Sequence, residues 1–255
     1  MTRNPLRQHW ANGGTVINGW LHIPALWTAE LMAHAGWDSL TIDLQHGFHS
    51  IETAVQMMQA ISSTPTVPLV RVNWLEPGDI MRLLDAGAYG VICPMINTWA
   101  ECEAFVGACR YPPLGYRSLG PTRARVVMGA DYAAHANTEI LTIAMVETKE
   151  AMHNLEAIAS VDGLDMIFVG TGDLLLSLTG QVGMDTDDPQ VDAALDRVVE
   201  VCARHDLIAG LFAGSAGYAA KMVKRGYRFV TVKTDGVLLS EAAQQVVSQT
   251  RREME

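Results

Sequence analysis

Ile167-Phe168-Val169-Gly170-Thr171-Gly172-Asp173-Leu174 is a short apolar run that stops at a glycine, turns, and presents one carboxylate before an apolar helix begins. A continuous apolar run of this length suits a strand buried on both faces. Upstream, Ile143-Ala144-Met145-Val146-Glu147-Thr148 follows the same plan with a glutamate. Two neighbouring strands that each end in an acid put two carboxylates at one end of a parallel sheet. A hard divalent cation fits between such a pair.

The same plan extends in both directions. Apolar strand-like runs occupy residues 16–21, 39–44, 67–72, 91–95, 141–147, 166–170, 208–212 and 229–232. Helical spacing separates them at 27–35, 51–61, 77–86, 98–109, 149–160, 173–178, 191–205 and 216–225, and returns at 238–250. Ser50 suits an N-cap with Glu52 in the first turn, and Pro77 suits the first turn of its helix. Thr98 and Glu101 have the spacing of a capping box. Eight alternations of strand and helix predict a (β/α)₈ TIM barrel, one α/β domain spanning 1–255. The helix at about 236–250 is apolar enough to pack on a neighbouring subunit. A doubly wound sheet is the runner-up, but no G-x-G-x-x-G follows the first strand.

The stretch 111–137 breaks the rhythm. It holds Pro112, Pro113, Gly115, Gly120, Pro121 and Gly129 with basic Arg117, Arg123 and Arg125. A loop this long inside a compact domain is expected to be functional or interfacial.

Composition narrows the function. A formal net charge of −10 over 255 residues argues against a nucleic-acid or anionic-membrane partner. The four cysteines form no C-x-x-C pair and fit a reducing cytoplasm. No apolar run reaches membrane-spanning length, and residues 1–15 contain no signal-peptide core.

In a barrel of this kind catalytic groups stand at the C-terminal ends of strands. Those ends carry Trp20 and His22, then Asp43, Gln45 and His46, then Arg71, Glu147, Asp173, and finally Lys233 and Asp235. Each has a plainer explanation. Glu147 favours a helix dipole, and Asp173 suits an N-cap. His46 is a loop histidine, with Asp43 either its orienting partner or a turn residue. Arg71 in an apolar strand needs a counter-charge, from a structural carboxylate or an anionic ligand. Lys233 is either an imine-forming amine or, more commonly, the partner of a rim carboxylate.

Taken together, Ile42-Asp43-Leu44-Gln45-His46-Gly47, Val70-Arg71-Val72, Arg110-Tyr111-Pro112-Pro113-Leu114-Gly115-Tyr116-Arg117, Val146-Glu147-Thr148 and Val169-Gly170-Thr171-Gly172-Asp173-Leu174 resemble the HpcH/HpaI aldolases, in order, over about 19–235. That family comprises metal-dependent, class II pyruvate aldolases on a (β/α)₈ barrel. The resemblance implies that Glu147 and Asp173 hold Mg²⁺, Mn²⁺ or Co²⁺, and that the ion chelates a 2-oxo acid. Backbone N–H groups of Gly172 and Asp173 would hold the substrate carboxylate. Arg71 would face the keto oxygen, and His46, oriented by Asp43, would act as base. Trp20 and Phe212 join the substrate-binding set, and Asp85 matches an aspartate presented to a neighbouring subunit's histidine. The implied activity is cleavage and formation of 4-hydroxy-2-oxo acids, giving pyruvate or a close analogue and an aldehyde. A homohexamer and a place in aromatic-compound catabolism are implied as well. Gln45, Met145, Thr171-Gly172 and Lys233 depart from the family's usual residues. Two other readings are a CoA-thioester lyase of the citrate lyase β-subunit type and a non-catalytic oxo-acid-binding barrel. The first asks for a CoA-binding extension and a more basic surface; the second asks for a lost site residue.

Overall fold

The computed structural model describes residues 3–255. Eight strands, β1 Val16–Leu21, β2 Ser39–Asp43, β3 Val67–Arg71, β4 Gly90–Cys93, β5 Leu141–Val146, β6 Met166–Val169, β7 Ile208–Ala213 and β8 Phe229–Val232, pair in sequence order, and β8 closes on β1. Every pairing is parallel. Around them lie α1 Pro5–Ala11, α2 Leu26–Ala33, α3 Ile51–Ile61, α4 Pro77–Asp85, α5 Trp99–Cys109, α6 Ala124–Met128, α7 Tyr132–Glu139, α8 Lys149–His153, α9 Leu155–Ala159, α10 Thr171–Thr179, α11 Pro189–Arg204, α12 Ala216–Arg225 and α13 Asp235–Glu253. The barrel expected from the apolar runs is therefore present, because β2 through β6 are buried along their whole length.

Two cores follow from the alternation of side chains along the strands. The outer core fills the space between sheet and helices. The inner one fills the barrel with Val16, Trp20, Leu69, Ile143, Met166, Phe168 and Phe229, among others. Asn18 adds a buried polar layer inside the barrel. It accepts from Ser39 and Thr41 and donates to Thr231, at 2.8, 3.2 and 2.9 Å, so no polar atom of its amide is left unpaired.

Capping was readable where the side chain does the capping. Ser50 accepts from the Thr53 N–H, Pro77 opens α4, and Thr98 with Glu101 forms the capping box. Three segments differ from expectation. Residues 5–11 form α1, which enters the floor of the barrel with Leu6 and Trp10. Asn4 caps it and Pro5 opens it, two signals available in the sequence. The stretch 111–137 is not a plain loop: it folds into α6 and α7 around a buried Arg117. Residues 149–160 do not make one helix. They break at Asn154, whose amide donates to the Asn97 carbonyl at 2.8 Å.

The outer ring has a gap. A helix following β8 would be expected to cover β8 and β1, but α13 runs away from the body and buries only Asp235. Ile17, which points outward from β1, is consequently 49 % exposed.

Candidate active site

Parallel pairing of β5 with β6 sets Val146 beside Val169, so Glu147 and Gly170 leave the sheet side by side. Glu147 is buried, and its Oε1 accepts the backbone N–H of Met95 at 2.9 Å. Met95 holds a left-handed φ of 56° to make that contact. Its loop is fixed by Asn97, which donates to the Met95 carbonyl, and by Glu101, which accepts from the N–H groups of Asn97 and Thr98.

Asp173 is not the N-cap of α10; Gly170 holds that position, and Asp173 lies in the first turn. From there its charge acts on Glu147. Burial first, and the Asp173 charge second, push the Glu147 carboxyl up to about 7 against the pull of the Met95 N–H and Arg71. Two acids held this way favour a cation between them. Among the described residues no three His, Cys, Asp or Glu side chains are arranged to hold a metal ion. The donor set is thus two carboxylates, which suits a hard cation that keeps waters or substrate oxygens in its shell.

Gly170 makes room for the pair. A Cβ there would stand 2.3 Å from Glu147 Oε2 and 2.6 Å from Met145 Cε.

Arg71 ends β3 with 5 % exposure and finds its counter-charge in Asp43 at the end of β2. The fork is bidentate: Nε to Oδ1 at 2.8 Å and Nη2 to Oδ2 at 2.6 Å. Nη1 lies 3.7 Å from Met145 Sδ, on the side of Glu147. The guanidinium also lies over Trp20, 4.8 Å from its centroid. Burial alone would raise the Asp43 pKa, but His22, Arg71 and Trp20 outweigh it and hold the carboxyl well below the usual range.

The family model HpcH/HpaI aldolase/citrate lyase matches residues 20–242, which spans every one of these groups. The chain belongs to the HpcH/HpaI aldolase/citrate lyase family. It is 39 % identical over 248 residues to a hydroxypyruvate/pyruvate aldolase of Rhizorhabdus wittichii, covering 97 % of this chain and 99 % of that one. It is 34 % identical over 235 residues to a 4-hydroxy-2-oxo-heptane-1,7-dioate aldolase of Escherichia coli, covering 91 % and 89 %. A solved HpcH/HpaI aldolase/citrate lyase family protein from Burkholderia cenocepacia superposes with a TM-score of 0.90 at 33 % identity, over 97 % and 99 %. By family the chain is an aldolase, a carbon–carbon lyase.

Within this aldolase the rim gathers Asp43, Arg71, Glu147 and Asp173 as expected, and corrects several details. The histidine ring beside Asp43 is not that of His46. His22 Nε2 lies 2.7 Å from Asp43 Oδ2, whereas His46 is exposed and reaches Asp43 only through its backbone N–H, at 3.4 Å. Trp20 is 1 % exposed; it stacks on Phe168 and gives its indole N–H to Asp43 at 3.1 Å, so it supports Arg71 from below. Phe212 packs edge-on against Trp20, and its carbonyl accepts from Thr171 at 2.8 Å.

Asp85 is not in its own chain's site. It ends α4, at the opposite end of that helix from the rim, and accepts from Arg117 at 2.7 Å. Arg117 is held between Tyr111 and Tyr132 and donates to the Tyr132 hydroxyl. Lys233 is paired with Glu241, the partnered outcome expected for it. Asp235 accepts the N–H groups of His22 and Ile23 and ties the end of β1 to α13. Sequence reasoning passed over Met95 and, although it named His22 at a strand end, gave it no role. Met95 carries no side-chain signal, since only its backbone is used. His22 was visible at a strand end, but nothing in the spacing favoured it over His46.

Proposed function

We propose that this barrel cleaves and forms 4-hydroxy-2-oxo acids, with pyruvate or a close 2-oxo acid as one product and an aldehyde as the other. The carrying observation is the buried Glu147 facing Asp173, with Arg71 near enough to bias its charge. Glu147 and Asp173 would hold a divalent cation such as Mg²⁺, Mn²⁺ or Co²⁺. When bound, such an ion polarises a keto group. The N–H groups of Gly172 and Asp173, in the first turn of α10, would receive the substrate carboxylate.

Breaking C3–C4 beside a ketone leaves negative charge on the keto oxygen. Arg71 lies on the Met145 side of Glu147 and supplies a fixed positive charge for it. Asp43 and Trp20 keep that guanidinium in one orientation. His46 removes the C4 hydroxyl proton, a task suited to a group that titrates near neutrality. Among the described residues no side chain of the same subunit is bonded to the His46 ring, which supports assigning its orientation to Asp85 of a second copy. The exposed α13 and the uncovered Ile17 support a homo-oligomer, a hexamer by family resemblance.

The test is pyruvate release from a panel of 4-hydroxy-2-oxo acids. EDTA should abolish it, and Mn²⁺, Co²⁺ or Mg²⁺ should restore it. Full activity in stripped protein, together with borohydride inactivation in the presence of pyruvate, would sink the metal reading and return Lys233 to consideration.

A further inference from the structure

Six nitrogen atoms converge on the Asp43 carboxylate. Oδ1 faces Arg71 Nε at 2.8 Å and the backbone N–H groups of Gln45 and His46 at 3.0 and 3.4 Å. Oδ2 faces Arg71 Nη2 at 2.6 Å, His22 Nε2 at 2.7 Å and Trp20 Nε1 at 3.1 Å. A carboxylate offers about four lone-pair sites, roughly two on each oxygen. Oδ2 is therefore oversubscribed. Arg71 and Trp20 make aligned hydrogen bonds to it, and His22, although close, does not: its Nε2 is buried without a hydrogen-bond partner. The His22 ring as a whole is about one-third exposed, so a proton can reach it from solvent.

We infer that His22 is a positioning residue: when protonated it shares Asp43 Oδ2 with Arg71, so that Asp43 neutralises less of the guanidinium's charge and more of it acts, through Nη1, on the substrate's keto oxygen. The inference rests on the role given to Arg71 above. Neutral His22 leaves Arg71 clamped bidentately, with its charge largely spent on Asp43. Charged His22 becomes a stronger donor and takes part of that carboxylate. The guanidinium keeps its place over Trp20, and Nη1, the arm on the Met145 side, presents more of its charge to the site.

Charged and titratable groups reach His22 from several elements. Asp43 and Arg71 face it from β2 and β3. Asp235, at the start of α13, accepts its backbone N–H at 2.8 Å. His49, from the turn before α3, lies near enough to feel its charge. Burial holds the His49 imidazole below its usual range, and a positive His22 pushes it the same way. His49 Nε2 faces the Leu21 carbonyl at 3.1 Å, and its Nδ1 is buried without a partner. Asp43 thus faces the His22 ring and Asp235 its backbone N–H, while burial disfavours the charged form of the neighbouring His49.

Deuterium exchange at the pyruvate methyl isolates this effect, because it needs the enolate-stabilising arginine and has no C4 hydroxyl. In Mn²⁺-loaded protein the exchange rate should fall about tenfold through one histidine-like step between pH 6 and 8, the worth of one hydrogen bond to a charged group. His22→Gln should lose that step and stay at the lower rate, whereas His46→Ala should keep it. The indole N–H resonance of Trp20, which shares Oδ2, should shift with the same midpoint in wild type and not in His22→Gln; this readout needs no turnover. A pH step that survives in His22→Gln overturns the proposal. So does a uniform loss in which both the step and the Trp20 titration persist, since that marks a structural role. Wild-type protein that exchanges no methyl proton at any pH overturns the aldol reading, while the Trp20 titration still decides whether His22 acts on Asp43.

Discussion

At the scale of single residues, Asp43 and Arg71 have the most to lose from substitution. Asp43→Asn leaves a buried guanidinium half-paired, which should cost about 3–5 kcal/mol at pH 7. The pH dependence follows from sign. A carboxyl held well below its usual range stabilises the fold fully above its unfolded pKa of about 3.9, and that contribution is lost as pH falls further. Wild type should therefore lose stability between pH 5 and 3 more steeply than Asp43→Asn, as read from urea midpoints across that range. Arg71→Ala should depress both aldol cleavage and methyl exchange in pyruvate. His46→Ala should lose cleavage by roughly 10²–10⁴-fold and keep more of the exchange; equal loss of both would remove its assignment as hydroxyl base. That Arg71 needed an anionic partner was legible from a charge in an apolar strand. Which histidine would stand beside Asp43 was not legible. His22 and His46 both follow strands, and only the side-by-side placement of β1 and β2 brings His22 to Oδ2.

At the scale of elements, strand ends carry the chemistry because parallel pairing aligns them. Glu147 and Asp173 were readable for that reason: apolar runs buried on both faces identify neighbouring strands, and the acid that follows each run falls on the same rim. The intervening geometry was less readable. The break at Asn154 depends on a hydrogen bond to Asn97, 57 residues away in sequence, and helical spacing alone cannot anticipate it. The stretch 111–137 was masked by its prolines and glycines, yet it folds around the cation–aromatic contacts of Arg117. Gly170 gives the sharpest prediction at this scale. Its φ of −80° suits any residue, so Gly170→Ala adds a steric conflict and no backbone strain. The added methyl must displace Glu147 or Met145. The variant should fold, yet show a much smaller thermal shift on adding Mn²⁺ than wild type. An unchanged Mn²⁺ shift would mean that Glu147 is free to move.

At the scale of the whole molecule, α13 is the element without a home. It is 19 residues long, about 28 Å at the helical rise, and it carries exposed Val237, Leu239, Val246 and Val247. Deleting the helix beyond Leu238 should reduce the particle mass measured by light scattering, with cleavage falling alongside if Asp85 serves a second copy. A full-length protein that is monomeric and active would remove that role for Asp85. The other end of the chain raises a matter of timing. Although α1 precedes every strand in the sequence, its Trp10 donates to the carbonyl of Arg228, 218 residues later, and Arg228 in turn binds the carbonyls of Trp10 and Gly14. The floor cannot be sealed until β8 has been made and the sheet has closed. The first helix therefore waits for the last strand, and Trp10 should be among the last of the tryptophans to leave water during refolding.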